Sequence, residues 1–225
     1  MTSRVTLDRW TTTPHLAGDN RTSRFVLSTK AGFRAVIALL KSLFSRNRHQ
    51  AAVLRLYAGI VDQARQPQFY TAAAGHARGV PDTVEGRFEV MTLHAWLVMR
   101  RLAAEGPDLA GLNQALFDHM FTDLDFSLRE LGASEMVVGK KVKDLGTHFY
   151  GRADAYESGL KEEAEGDRTV LEEALDRNLF GSTLPDGPEV TAMADYVMAA
   201  AARLAAYPLE SLLADGPAFP AAPRL

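Results

Sequence analysis

Two pairs of side chains raise the first chemical question. His119 and Asp123 stand four residues apart, and Asp144 and His148 repeat that spacing in reverse order. On a helix, residues i and i+4 share a face. Two helices that each offer a carboxylate and an imidazole present donor types able to hold a divalent transition metal. A small helical metalloprotein or oxidase-like enzyme built on His119, Asp123, Asp144 and His148 is the reading that follows. The plainer expectation is that each pair makes a hydrogen bond or charge contact within its own helix. On that reading the chain has no metal site, no cofactor and no catalytic residue.

Other common routes to catalysis are missing from the sequence. It has no glycine-rich phosphate loop, no G-x-S-x-G elbow, no H-E-x-x-H and no Glu-x-x-His pair. Cysteine is absent, which removes disulfides, thiolate metal sites and a cysteine nucleophile.

A second cluster is basic. Lys140, Lys141 and Lys143 stand together in a stretch that is otherwise acidic, and Lys140, Asp144, His148 and Arg152 form one polar row at i, i+4 spacing. Such a row is either a solvated face or a docking surface for an acidic or phosphate-bearing partner. Aromatic residues do not alternate with these lysines as a single-strand binder requires, so sequence-specific nucleic-acid recognition is not expected. His94 and Trp96 sit in a stretch apolar on most sides. Trp96 is expected in the core, or as one wall of a groove that accepts an apolar helix.

The elements that must position these residues read as helices almost throughout. Residues 49–65 put Val53, Leu56, Tyr57, Ile60 and Val61 on one face and stop before Pro67. A short turn of helix is expected over 68–74 around Phe69 and Tyr70, then a loop from Gly75 to Pro81. Asp82 or Thr83 caps a long helix with the row Val84, Phe88, Met91, Ala95, Val98 and Leu102, closed by Gly106-Pro107. The next carries Leu112, Leu116, Met120, Leu124, Leu128 and Leu131 and ends at Gly132. Ser134 and Glu135 open a fourth over Val138, Val142, Leu145, Phe149, Ala153, Tyr156 and Leu160. Asp167 caps a fifth over Val170, Leu171, Leu175 and Leu179. Val190, Met193, Val197, Ala201 and Leu204 mark a sixth, and Leu209–Leu213 a last short turn. No window shows the period-2 alternation of a strand. The fold class is therefore all-α, a single compact domain of six or seven helices with a basic N-terminal arm.

Length supports one domain: 225 residues suit a core of about 150–190 residues plus tails. The division expected is a tail over 1–33, a basic amphipathic segment over 34–48, the helical domain over 49–214 and a Pro/Ala-rich tail over 215–225. Residues 1–33 read as disordered, as an organelle transit peptide, or as an upstream start misassigned when translation begins near Val36. Charge is unevenly spread. The first fifty residues hold nine Lys/Arg against two acids, or +7, so a chain of net −3 carries −10 over the rest. A basic arm on an acidic body implies an anionic surface as the arm's partner. In the arm Val36, Ile37, Leu40 and Phe44 fall on one side, with Lys41, Arg46 and Arg48 beside them, as an interfacial anchor requires. No run reaches the ~20 apolar residues of a membrane span.

The stretches Gly79–Phe88 and Leu93–Trp96, then His119–Asp123, then Lys140–Lys143, then Thr147–Tyr156, occur in this order within residues 50–200. Together they resemble the ubiquinol–cytochrome c chaperone family, and a bacterial member of it. The resemblance implies a non-enzymatic assembly factor for respiratory complex III. It also implies binding to newly made cytochrome b, in company with a small partner subunit and near the ribosome exit region. The location implied is cytoplasmic, at the inner face of the membrane, or mitochondrial in a eukaryotic host. The family offers no catalytic residue to carry over. The matching positions Pro81, Asp82, His94, Trp96, His119, Asp123, Lys140, Lys141, His148, Tyr150 and Tyr156 are candidate client or partner contacts. Physically, a helical groove can shelter an apolar segment, and each Lys/Arg of the arm near an anionic bilayer is worth about 1 kcal/mol. The lysine run can meet ribosomal RNA through phosphates, which carry no sequence information.

Overall fold

The computed structural model describes residues 49–70, 79–130, 132, 134–182, 187–223 and 225, all within the unit Leu43–Leu225. The segment 34–48, with the anchor residues Val36, Ile37, Leu40, Lys41, Phe44, Arg46 and Arg48, lies outside them. α1 is described over residues 49–64. Its apolar face drives Val53, Leu56, Tyr57 and Ile60 into the interior. Pro67 cannot continue the helix and instead opens a 3₁₀ turn, Pro67–Phe69. Of the helical turn expected over 68–74, Phe69 lies in this 3₁₀ turn and Tyr70 beyond it, while residues 71–74 lie outside the described residues. Phe69 is drawn wholly inside, and Tyr70 is extended, bridging Val80 through Val80 N–H donating to Phe69 O at 2.9 Å.

α2 (Val84–Ala104) is the central helix. Thr83 caps it, its Oγ1 accepting from the Gly86 N–H at 3.1 Å. Val90, Leu93, His94, Ala95, Trp96, Leu97 and Val98 are all buried, so this helix is enclosed on nearly every side. Burying a Leu or Val of this kind is worth about 2 kcal/mol. Val84, expected in the apolar row, is exposed, whereas Gly86 in the same turn is buried against Pro81 and Val80.

A second 3₁₀ turn, Pro107–Leu109, leads into α3 (Ala110–Glu130). Gly132 follows at φ +84°, the left-handed position that favours glycine. α4 (Glu135–Ala164) is the longest helix among the described residues, and α5 (Thr169–Leu179) returns beside its second half. Gly159 permits that contact: a Cβ there would lie 2.6 Å from Leu171 Cα. The Asp167 carboxylate caps α5 by accepting from Thr169 N–H at 2.9 Å. α6 (Pro188–Ala206) and α7 (Leu209–Asp215) complete the bundle.

The class is all-α, with seven α-helices among the described residues and no strand there beyond the isolated bridge. No single described helix is long and apolar enough to cross a membrane. α6 and α7 pass that test only together, bent by 105°. The apolar face of α6 is spent on the core, where Val190, Met193, Val197, Ala200 and Leu204 are buried. Residues after α7 pack back on the body, with Phe219, Ala222 and Leu225 against the core.

Candidate functional site

The eleven matching positions fall into four settings. His94, Trp96 and Tyr156 are interior. Trp96 packs on Tyr156 with ring centroids 5.3 Å apart, so this pair joins α2 to α4 and presents no outward face. His94 Nδ1–H donates to Val90 O, and the Tyr196 hydroxyl donates to Nε2, both at 2.7 Å. Burial outweighs the Val90 bond and pushes the imidazole down to about 4, so His94 is neutral at pH 7.

Pro81 and Asp82 form the exposed turn before α2. Asp82 pairs with Arg87 at 2.6 Å, and Arg87 lies over the Tyr70 ring. The Pro81 carbonyl sits so close to Gly86 that a Cβ there would be 2.0 Å from it. Asp82 accordingly shapes the turn and leaves the capping to Thr83.

The metal reading rested on pairs that the fold uses otherwise. Asp123 accepts a hydrogen bond from the Tyr57 hydroxyl at 2.7 Å, and His119 stands edge-on to the same tyrosine at 4.9 Å. Burial, reinforced by Asp123, pushes the Tyr57 hydroxyl well above its ordinary range. On α4, His148 gives its carbonyl to Arg152, whose guanidinium turns inward to Glu89 of α2. Glu89 is raised from its ordinary value because burial outweighs Arg152. Among the described residues, no three His, Asp or Glu side chains converge on a common point. The Tyr57–Asp123 and Glu89–Arg152 links join residues 66 and 63 apart in sequence, beyond any local signal.

The remaining positions gather on α4. Lys140, Lys141 and His148 are exposed, and Tyr150 is half-exposed. Tyr150 stacks on Phe117 of α3 at 5.3 Å, in a cluster completed by Phe121 and Phe149. Gly146 of α4 faces the same cluster, with Phe121 at ordinary contact distance, 3.8 Å, from where a Cβ would stand. The first half of α4 thus lies against α3, while the second half is packed by α5. Around the α3–α4 turn, Phe126 is 62% exposed, Met136 87% and Val137 47%. Among the described residues, none of Lys140, Lys141 or Lys143 joins an ion pair, whereas Arg129 nearby is held by Asp125 at 2.6 Å. Large apolar side chains beside unpaired cations in an acidic body form a surface suited to a polypeptide with an apolar face and acidic or polar flanks. The lysines were legible in sequence. Phe126, Met136 and Val137 were not, because their helices look amphipathic and only the packing shows which apolar residues stay outside.

A family model described as ubiquinol-cytochrome C chaperone matches residues 76–219. The chain is 24% identical over 154 residues to the ubiquinol-cytochrome c reductase complex assembly factor 1 of Homo sapiens, covering 68% of this chain and 48% of the human protein. It is 22% identical over 154 residues to the Xenopus laevis protein of that name, covering 68% and 72%. The chain therefore spans about half the length of the human relative. The crystal structure of the Cbp3 homolog from Brucella abortus shares 35% identity and a TM-score of 0.67, covering 81% of this chain and 97% of that one.

Proposed function

Because the chain belongs to the ubiquinol–cytochrome c chaperone family, we propose that it assists assembly of respiratory complex III by holding newly made cytochrome b, without making or breaking covalent bonds. The observation that carries this reading is the exposed start of α4, where Met136 and Val137 stand one helical turn from Lys140 and Lys141, with Phe126 also exposed near the end of α3. A membrane protein segment awaiting insertion needs an apolar contact of modest size that it can leave again. Three or four exposed apolar side chains supply that, and the lysines orient polar or acidic flanks. Of the matching positions, those available to a partner are Pro81, Asp82, Asp123, Lys140, Lys141, His148 and Tyr150; His119 is half-buried. His94, Trp96 and Tyr156 act by holding α2, α4 and α6 in place.

A small partner subunit, the ribosome exit region and an anionic membrane complete the reading. The body works at the inner face of the cytoplasmic membrane, or inside mitochondria in a eukaryotic host, with the basic segment 34–48 providing the lipid contact. The test is photo-crosslinking in cells with the reactive group placed in turn at Phe126, Met136, Lys140 and, as a control, the exposed Glu173 of α5. Cytochrome b adducts from the first three and none from Glu173 are expected. Absence of adducts from all three, together with normal cytochrome b haem absorbance in cells lacking the gene, overturns the proposal.

A further inference from the structure

The last ten residues, Gly-Pro-Ala-Phe-Pro-Ala-Ala-Pro-Arg-Leu, place proline at 217, 220 and 223. A three-residue period matches the polyproline II helix, which has three residues per turn and puts such prolines on one face. In the structure this segment leaves α7 at Gly216, φ +93°, and runs without helix, turn or bend as far as Pro223. It is not loose. Gly216 to Pro220 are buried or half-buried, and Ala222 and Leu225 lie against the core.

The floor it follows is shaped for it. On α1, Gly59 leaves the space that Pro217 fills: a Cβ at 59 would be 2.6 Å from Pro217 Cδ. One turn on, Gln63 donates its amide both to the Tyr196 hydroxyl at 2.9 Å and to the Pro220 carbonyl at 3.0 Å. The Phe219 ring meets the His94 imidazole edge-on at 5.0 Å, and behind it His94, Phe69 and Tyr196 pack within 5.6 Å of one another. A small-residue notch for proline, an aromatic wall and a side-chain amide reading a backbone carbonyl are the elements by which grooves hold proline-rich ligands. Pro220–Leu225 fall beyond the family match, which ends at residue 219.

We propose that this groove over α1, α2 and α6 is a recognition site for an extended Pro-x-x-Pro segment of a partner polypeptide. The chain's own residues 216–223, with Leu225, occupy it in cis as a displaceable ligand. The inference is independent of the client surface on α3 and α4. A tethered ligand competes at an effective concentration on the order of millimolar, so the site is masked until the cis segment is loosened.

The experiment uses the full chain and a fluorescein-labelled peptide with the sequence of residues 216–225, read by anisotropy. Phe219→Ala removes the cis ring and leaves the groove walls intact; it should bind the peptide at least tenfold more tightly than the unaltered chain. A peptide of equal composition with its prolines out of period should bind at least tenfold more weakly. Adding Gly59→Ala to Phe219→Ala should reduce binding at least tenfold by filling the proline notch. If Phe219→Ala does not fold, the doubly substituted Ala222→Asp, Leu225→Asp chain loosens the distal half without touching a wall and carries the same expectations. Binding no tighter than to the unaltered chain, equal binding of the out-of-period peptide, or a concentration-dependent dimer without peptide binding overturns the proposal. The last outcome would assign the groove to exchange of this segment between copies.

Discussion

Lowering the pH should unfold this protein partly through one side chain, His94. Its imidazole is fully buried, bonded to Val90 O and to the Tyr196 hydroxyl, and pushed by that burial from 6.5 down to about 4. A histidine whose folded-state pKa lies below its unfolded value contributes stability at and above about pH 6.5. It loses that stability as the pH falls from there toward about 4, where both states take up the proton. The full displacement corresponds to about 3 kcal/mol. Between pH 7 and pH 4.5 about 2 kcal/mol of it should disappear. The groups to separate from it are the many carboxylates and the other histidines, and a variant that keeps all of them does so. His94→Gln retains an amide donor and acceptor but cannot titrate. Urea unfolding of both proteins at the two pH values should show the unaltered chain losing about 2 kcal/mol more than the variant. Losses that agree within about 0.5 kcal/mol would refute the reasoning, because the imidazole would then be charging inside the folded state without penalty.

Two further outcomes follow from the packing. Gly159→Ala should destabilise by about 3 kcal/mol, because its Cβ would meet the Leu171 backbone at 2.6 Å and force α4 from α5. Gly151→Ala, on the same helix with nothing within 4 Å, should instead gain about 0.5–1 kcal/mol, and thermal unfolding of the pair separates the two. Arg152→Ala should cost about 2–4 kcal/mol at pH 7 by leaving the Glu89 carboxylate buried without its guanidinium. As Glu89 is already raised by burial, the loss should shrink as the pH falls and the carboxyl takes up a proton. Adding Glu89→Gln should recover much of it, and denaturant midpoints at pH 7 and 5 check both statements.

The residues that specify helices do so locally, and they could be read without the fold. Thr83 before Val84, Asp167 before Thr169, Gly132 after α3 and Pro67 after α1 each act within a few residues, through a cap, a left-handed φ or a missing N–H. The apolar rows of α3 to α6 likewise depend only on a period near 3.6. The 3₁₀ turn at Pro67–Phe69 falls where the sequence puts a short helical turn around Phe69 and Tyr70; the pattern does not carry the extended Tyr70 and its bridge to Val80, a pairing across the intervening loop. The candidate surface was half legible. Charge marks Lys140, Lys141 and Lys143 in any sequence reading, but an apolar residue does not announce whether it will be covered.

Sequence alone determined the all-helical class, the helix ends, the absence of thiol chemistry and the blocks that carry the family likeness, since each depends on residue type and short spacing. Only the tertiary structure decided that Trp96 and Tyr156 close on each other inside, that Tyr57 takes Asp123, that Arg152 turns to Glu89 and that the proline-rich end lies in a groove. These are meetings of residues 60 to 157 positions apart. Which of them form depends on how whole helices cross and exclude one another, which no periodicity within a single helix encodes.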